Sequence, residues 1–355
     1  MLFLMGLLGM VAVGATVLNG NDDEEAPVTE GGDTPEADMA EMPADATALS
    51  ELLDAAAPQD GSAATAGVGQ GGGFQMDMTQ PMPAESDGGA PDDATAWNID
   101  RGGEGDDTII GSVENDFLLG YGGDDMIRGG EGGDQIEGGV GDDMLFGQKG
   151  ADTLHGEEGN DLLRGGRGGD DLFGHTGDDT LFGGRGADSL VGGEGEDSLA
   201  GGRGADALHG YHGDDTLEGG RGADTLFGGI GNDLLFGTGA EGADDGQQDY
   251  LNGGEGNDTI HAGASDVITG GEGADQIVFD TAGAGGGAIE VMDFEPGEDS
   301  LVLLHPADGT EPEVKIERDP ENAELYRVLV DGEVAAELQS ASPVSLADIM
   351  LVTQT

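Results

Sequence analysis

The chain has no cysteine, which excludes disulfide scaffolds and thiolate metal sites. Bases are scarce: 11 lysines and arginines stand against 75 acids, a formal net charge of −64. A phosphate backbone would be repelled by such a chain, so nucleic acid is excluded as a partner. Large apolar side chains are also few, with 4% aromatics and Trp97 as the single tryptophan. A conventional core for 355 residues needs more of them. Glycine is the opposite case, 73 residues or about three times the usual share. Two classes remain, a disordered acidic polymer or a fold built on glycine and carboxylate, and the glycine spacing decides between them.

Residues 1–18 carry no charge and are followed by Asp22, Asp23, Glu24 and Glu25. Eighteen apolar residues suffice for a marginal membrane span. A secretory signal peptide carries a basic start, which is missing, although Ala15 offers a tolerable cleavage site. A retained membrane tether and a cleaved signal segment therefore both stay open. Residues 19–100 contain no lysine or arginine and are rich in Ala, Pro, Gly, Met and acids. Such a segment cannot bury enough apolar surface to offset chain entropy, so a disordered acidic linker is expected. Met76, Met78 and Met82 read as incidental linker composition.

From Gly102 the chain is periodic. GGEGDDTII (102–110) is followed without a gap by fourteen more nine-residue units, the last being GGIGNDLLF (228–236). Glycine is first and aspartate sixth in all 15 units, and position 8 is always Ile or Leu. Position 4 is glycine except at Glu114. An expanded unit (237–252), GGEGNDTIH (253–261), a shortened AGASDVIT (262–269) and GGEGADQIV (270–278) close the array.

Each unit is expected to divide into six loop residues and a three-residue strand. Glycines at positions 1 and 4 permit conformations and close approaches that a side chain blocks. Strand alternation turns the Ile or Leu of position 8 inward. One apolar residue in nine makes a core only when units stack, so the array must be a solenoid. The position-6 aspartates then stand in columns about 4.8 Å apart and repel unless a cation lies between them. Oxygen-only donors in glycine turns suit Ca²⁺ better than Mg²⁺, zinc or copper.

The pattern G-G-x-G-x-D-x-U-x resembles the RTX (hemolysin-type) calcium-binding nonapeptide over residues 102–280, half of the chain. The resemblance implies an all-β fold, a parallel β-roll with Ca²⁺ held between stacked loops by the position-6 aspartate and loop carbonyls. The implied metal ligands are Asp107, Asp116, Asp125, Asp134, Asp143, Asp152, Asp161, Asp170, Asp179, Asp188, Asp197, Asp206, Asp215, Asp224 and Asp233, then Asp249, Asp258 and Asp275. Asp266, in the eight-residue unit, and any site using Glu114 depart from the pattern. AIEVMDFEPGEDSLVLL (288–304) is similar to the region that closes such arrays in secreted members. SLADIMLVTQT (345–355) is a weak match for the uncleaved signal of type I export, so a secreted, extracellular or cell-surface protein is implied.

The units alternate. At position 5, odd units carry Asp106, Asp124, Asp142, Asn160, Asp178, Glu196, Asp214 and Asn232, while even units from Gly133 onward carry only Gly or Ala. At position 3, even units carry Lys149, Arg167, Arg185, Arg203 and Arg221. A period of 18 makes two units one coil of a parallel β-roll and gives it an acidic and a basic edge. The basic ladder either offsets local carboxylate repulsion or docks an anionic glycan or a second copy.

No HExxH, GxSxG or cysteine nucleophile is present. The histidines, at 155, 175, 209, 212, 261 and 305, mostly fall in or beside the expected loops, and His209, Tyr211 and His212 read as ordinary loop residues. The expected organisation is an anchor or signal segment (1–18), the linker (19–100), the β-roll (101–280) and a small β-rich cap (281–355), with Asp331-Gly332 as a two-residue hairpin turn. A non-enzymatic, calcium-folded protein of structural or adhesive role is expected. The alternative is an accessory or enzymatic protein with an unrecognised activity in the tail.

Overall fold

A computed structural model describes residues 97–238, 246–281, 287–307 and 312–354. The segment 1–18, the linker up to residue 96 and Met76, Met78 and Met82 lie outside the described residues. Among the described residues there are 26 β-strands and one three-residue 3-10 turn, Leu346–Asp348. None of their helices is long and apolar enough to cross a membrane.

The first twenty strands, from β1 (Asn98–Arg101) to β20 (Gln276–Asp280), alternate between two parallel sheets, odd in one and even in the other. In the even sheet, β10 (Thr180–Arg185) aligns Leu181 with Leu199 and Arg185 with Arg203 of β12 (Ser198–Arg203), an offset of 18 residues. This is the expected β-roll with two units per coil.

The strands are twice as long as expected. β10 runs through repeat positions 7, 8, 9, 1, 2 and 3, and only positions 4–6 turn the chain. The first two glycines of a unit are strand residues: Gly183 and Gly184 lie inside β10, and Gly184 aligns with Gly202 of β12. A six-residue strand satisfies backbone groups that a long loop would leave to water.

Strand alternation brings positions 8 and 1 inward. Leu145, Leu154, Leu163, Leu172, Leu181 and Leu190 are completely buried, each facing its neighbours from the opposite sheet. At the N-terminal end, exposed Asp100 stands across from Leu118 and ends the apolar column. The seven extra residues of the expanded unit and the missing residue of the short one leave the stacking intact. Thr225 aligns with Tyr250, and Tyr250 with Val267.

Both sheets run on beyond residue 280. β21 (Ile289–Val291) adds to β19 (Val267–Glu272), β22 (Ser300–Pro306) to β20, and β26 (Ile349–Gln354) to β22, all parallel. β25 (Glu333–Gln339) continues the odd sheet and is followed by antiparallel β24 (Leu325–Val330) and β23 (Val314–Arg318). Asp331 and Gly332 have φ of 52° and 91°, the left-handed pair that a two-residue hairpin turn requires. Buried Phe279 and Phe294 fill the core where the leucine column ends.

Candidate metal sites along the turn edges

Each position-6 aspartate ends a turn directly before a strand, except Asp116, which is the first residue of β3 (Asp116–Gly122). Its N–H donates to Oδ1 of the aspartate one coil further on: Asp143 to Asp161 at 2.7 Å, Asp161 to Asp179 at 2.8 Å, Asp197 to Asp215 at 2.8 Å. The other edge repeats the arrangement, as from Asp134 to Asp152 and from Asp188 to Asp206. Two columns result. One contains Asp107, Asp125, Asp143, Asp161, Asp179, Asp197, Asp215, Asp233, Asp258 and Asp275. The other contains Asp116, Asp134, Asp152, Asp170, Asp188, Asp206, Asp224 and Asp249. All eighteen expected aspartates are in them, and all but half-buried Asp107 are buried.

Asp266 belongs to the second column as well. It is fully buried and accepts the N–H of Asp249 at 2.9 Å, so the short unit keeps its carboxylate in place. Asp299, outside the repeat pattern, ends the first column by accepting from Asp275 at 3.1 Å.

The two carboxylate oxygens differ. Oδ1 is used, but Oδ2 is buried without a hydrogen-bond partner at Asp125, Asp143, Asp161, Asp179, Asp197, Asp215, Asp233, Asp258 and Asp275 of the first column. The same holds at Asp134, Asp152, Asp170, Asp188 and Asp206 of the second. At the column ends the oxygen finds a donor: Gly103 N–H to Asp107 at 2.7 Å, and Glu295 N–H to Asp299 at 2.7 Å. The orphaned oxygen folds over the first glycine of its own unit. A Cβ on Gly183 or Gly201 would stand 2.6 Å from Oδ2 of Asp188 or Asp206. The position-1 glycine makes room for the carboxylate.

Position 4 has a different cause. Gly186 has φ of 135°, and a Cβ there would collide with the carbonyl of Gly168 one coil back. Glu114 escapes this constraint because no repeat unit lies 18 residues before it.

Burial, with the carboxylates above and below as a further cause, pushes Asp179 and Asp206 up to about 8. Asp143, Asp152 and Asp215 rise to about 7 for the same reasons. The backbone N–H on Oδ1 opposes this but does not prevail. The ion pairs of Lys149, Lys315 and Arg327 go to Glu131, Glu313, Asp319 and Glu337, outside the columns. Buried carboxylates with one unused oxygen each, and no nitrogen or sulfur donor at the turns, fit a hard divalent cation such as Ca²⁺.

The acidic edge has a hydrogen-bonding role. At position 5 of the odd units, Asp124 N–H donates to Asp106 Oδ1, Asn160 to Asp142 and Asp178 to Asn160, at 2.9–3.2 Å. Here each side chain caps the turn of the following coil, and asparagine serves as well as aspartate. The basic residues Lys149, Arg167, Arg185, Arg203 and Arg221 stand in register on consecutive even strands.

The histidines are strand residues, not loop residues. His209 and Tyr211 lie in β13 (Ala207–His212) with rings stacked at 3.7 Å. His155 and His175 meet on the outer face of the odd sheet together with Glu157. The signal was their separation: 20 residues is one coil plus two, which returns to the same face one strand along.

No curated protein matches the sequence. A family profile, the RTX calcium-binding nonapeptide repeat in four copies, matches residues 101–136, 137–172, 173–208, 209–244 and 245–277. Repeats of this kind bind Ca²⁺ at multiple sites. With its nine-residue units, its two-sheet roll and its buried aspartate columns, the chain belongs to the RTX calcium-binding nonapeptide repeat proteins.

Proposed function

We propose that this chain is an exported, non-enzymatic calcium-binding solenoid with a structural or surface-adhesive role. Its Ca²⁺ ligands are the eighteen position-6 aspartates named above, together with Asp266. The observation that carries the reading is the row of buried, unpartnered Oδ2 atoms from Asp125 to Asp275. Bound Ca²⁺ supplies the positive charge that lets those carboxylates ionise inside the fold. The rest is done by the chain: backbone N–H groups fix Oδ1, position-1 glycines leave room for Oδ2, and the leucine column holds the turns in register. Low cytosolic calcium leaves the repeats unfolded by carboxylate repulsion, and millimolar calcium outside folds them, because binding and folding are linked. Proteins with these repeats are typically secreted, which agrees with folding after export.

The adhesive part of the reading rests on the basic edge. Lys149 pairs with Glu131 at 2.6 Å, but among the described residues no carboxylate pairs with Arg167, Arg185, Arg203 or Arg221. Guanidinium groups stacked at strand spacing, about 4.8 Å, repel one another, and an anionic surface relieves that repulsion. An acidic polysaccharide or the position-5 edge of a second copy fits. Replacing the four arginines with glutamine tests it in saturating calcium. Loss of polysaccharide binding or of self-association is expected, and both unchanged in a normally folded variant contradicts docking.

A further inference from the structure

We propose that His155, Glu157 and His175 form a second kind of metal site, one for a transition-metal dication of the Zn²⁺ class, on the outer face of the odd sheet. It is separate from the aspartate columns and does not rest on them.

β7 (Thr153–Glu158) and β9 (Asp171–Thr176) are neighbours in that sheet, with Glu157 paired to His175 and His155 paired to Phe173. His155 and Glu157 are two residues apart on one strand, so both face outward. His175 is diagonal to His155 across the ladder, within reach of a long side chain. Nδ1 of His155 lies 2.9 Å from Nε2 of His175, and that nitrogen lies 3.8 Å from Oε1 of Glu157. One ligand atom from each residue falls within 4.8 Å of the other two.

Zinc takes histidine nitrogens at about 2.0–2.1 Å and carboxylate oxygens at about 2.0–2.2 Å in tetrahedral geometry. Two such ligands on one ion stand about 3.3 Å apart by that geometry. The observed 2.9 and 3.8 Å bracket this value, so small side-chain rotations close the site. Two imidazoles and a carboxylate leave a fourth position toward solvent, and this donor set prefers Zn²⁺, Cu²⁺ or Ni²⁺ to Ca²⁺. Phe173 stacks on His155 at 4.7 Å with ring planes 7° apart, which holds the first ligand in place.

Glu157 and His175 both occupy repeat position 2 with φ of 84°, a left-handed conformation that is costly for a residue with a side chain. The same position in odd strands on either side is Gly139 and Gly193, with φ of 124° and 137°. Tyr121, Gln148 and Tyr211 occupy position 2 of other units with φ of 78°, 84° and 81°, so this conformation belongs to the roll as a whole. What sets β7 and β9 apart is that their position-2 side chains, Glu157 and His175, converge on His155.

The repeat itself supplies the test variants. His175→Gly and Glu157→Gly restore the residue used in neighbouring coils, so both fold. The full chain, saturated with Ca²⁺ to fill the aspartate columns, is titrated with Zn²⁺ by calorimetry and with Co²⁺ by visible absorption. Saturable binding of one ion per chain is expected, with a Co²⁺ spectrum of a nitrogen-ligated, low-coordinate site. Either variant weakens Zn²⁺ binding at least tenfold and removes that spectrum, while calcium folding is unchanged. Zn²⁺ isotherms of the variants that superimpose on the parent, or no saturable binding at all, overturn the proposal and leave a pair of histidines sharing a hydrogen bond.

Discussion

The N–H of Asp161 donates to Oδ1 of Asp179 at 2.8 Å, while Oδ2 of Asp179 is buried without a partner. One oxygen is used by the protein, and the other is the one the proposed function assigns to a cation. This half-used carboxylate recurs along both columns, so calcium-free folding is opposed by the groups that calcium-loaded folding requires.

Asp179→Asn keeps an acceptor for Asp161 and removes one buried charge. Local calcium affinity is expected to fall by at least the about 10–100-fold that loss of an outer-shell partner costs. The calcium-free fold becomes easier to reach at the same time. Calcium titration followed by circular dichroism, with bound ions counted by equilibrium dialysis, checks both directions. A variant with unchanged midpoint and stoichiometry contradicts the assignment.

The pH dependence without calcium runs opposite to ordinary acid denaturation. Asp179 titrates at about 8 and Asp134 at about 6 in the fold, both above the usual carboxylate value of 3.8. Folding therefore takes up protons, and stability falls as pH rises through the interval from about 4 to about 8. In calcium-depleted buffer, β-structure is expected near pH 4 and lost by pH 8. With calcium present the ions displace those protons, so acidification from pH 8 to 6 weakens calcium binding to the folded roll but lowers the calcium needed to fold it. Circular dichroism that does not change with pH in calcium-depleted buffer counts against the buried columns.

Glycine at position 4 is needed only where a coil lies behind it. Gly186→Ala places a Cβ against the carbonyl of Gly168 at a φ of 135° and is expected to cost about 2 kcal/mol or more of calcium-loaded stability. Gly105→Ala, at the same position of the first unit with nothing within 4 Å, is expected to stay within about 0.5 kcal/mol. Chemical denaturation in saturating calcium measures the difference.

Leu181→Ala opens a cavity in the middle of the apolar column, where the side chain is fully buried. A loss of about 2–5 kcal/mol is expected. Because each coil touches only its neighbours, the damage is expected to appear as reduced hydrogen-exchange protection centred on the coils around residue 181. Uniform loss of protection along the whole array contradicts that local coupling.

The period of nine, the coil of 18 and the columns of Leu181 and Asp179 were legible because each is a single residue type at a fixed spacing. The hairpin at Asp331-Gly332 was legible because two left-handed residues leave few choices. The length of the strands was not: Gly183 and Gly184 look like turn residues, yet both lie inside β10, with Gly184 aligned to Gly202 of β12. The place of Asp266 was hidden by a unit one residue short, which the roll absorbs by pairing over 17 residues. Asn160 and Asp142 share a position because hydrogen bonding, not charge, selects them. His155 and His175 became neighbours only once the coil length turned a separation of 20 into adjacency.

The central claim is that calcium, held on the unpartnered oxygens of the buried aspartate columns, is what folds the repeats. Far-UV circular dichroism of the full chain at pH 7.5, first in excess chelator and then through a calcium titration, tests it directly. An unfolded spectrum in chelator and a cooperative gain of β-structure with calcium are expected. A β-rich fold already present in excess chelator contradicts the account.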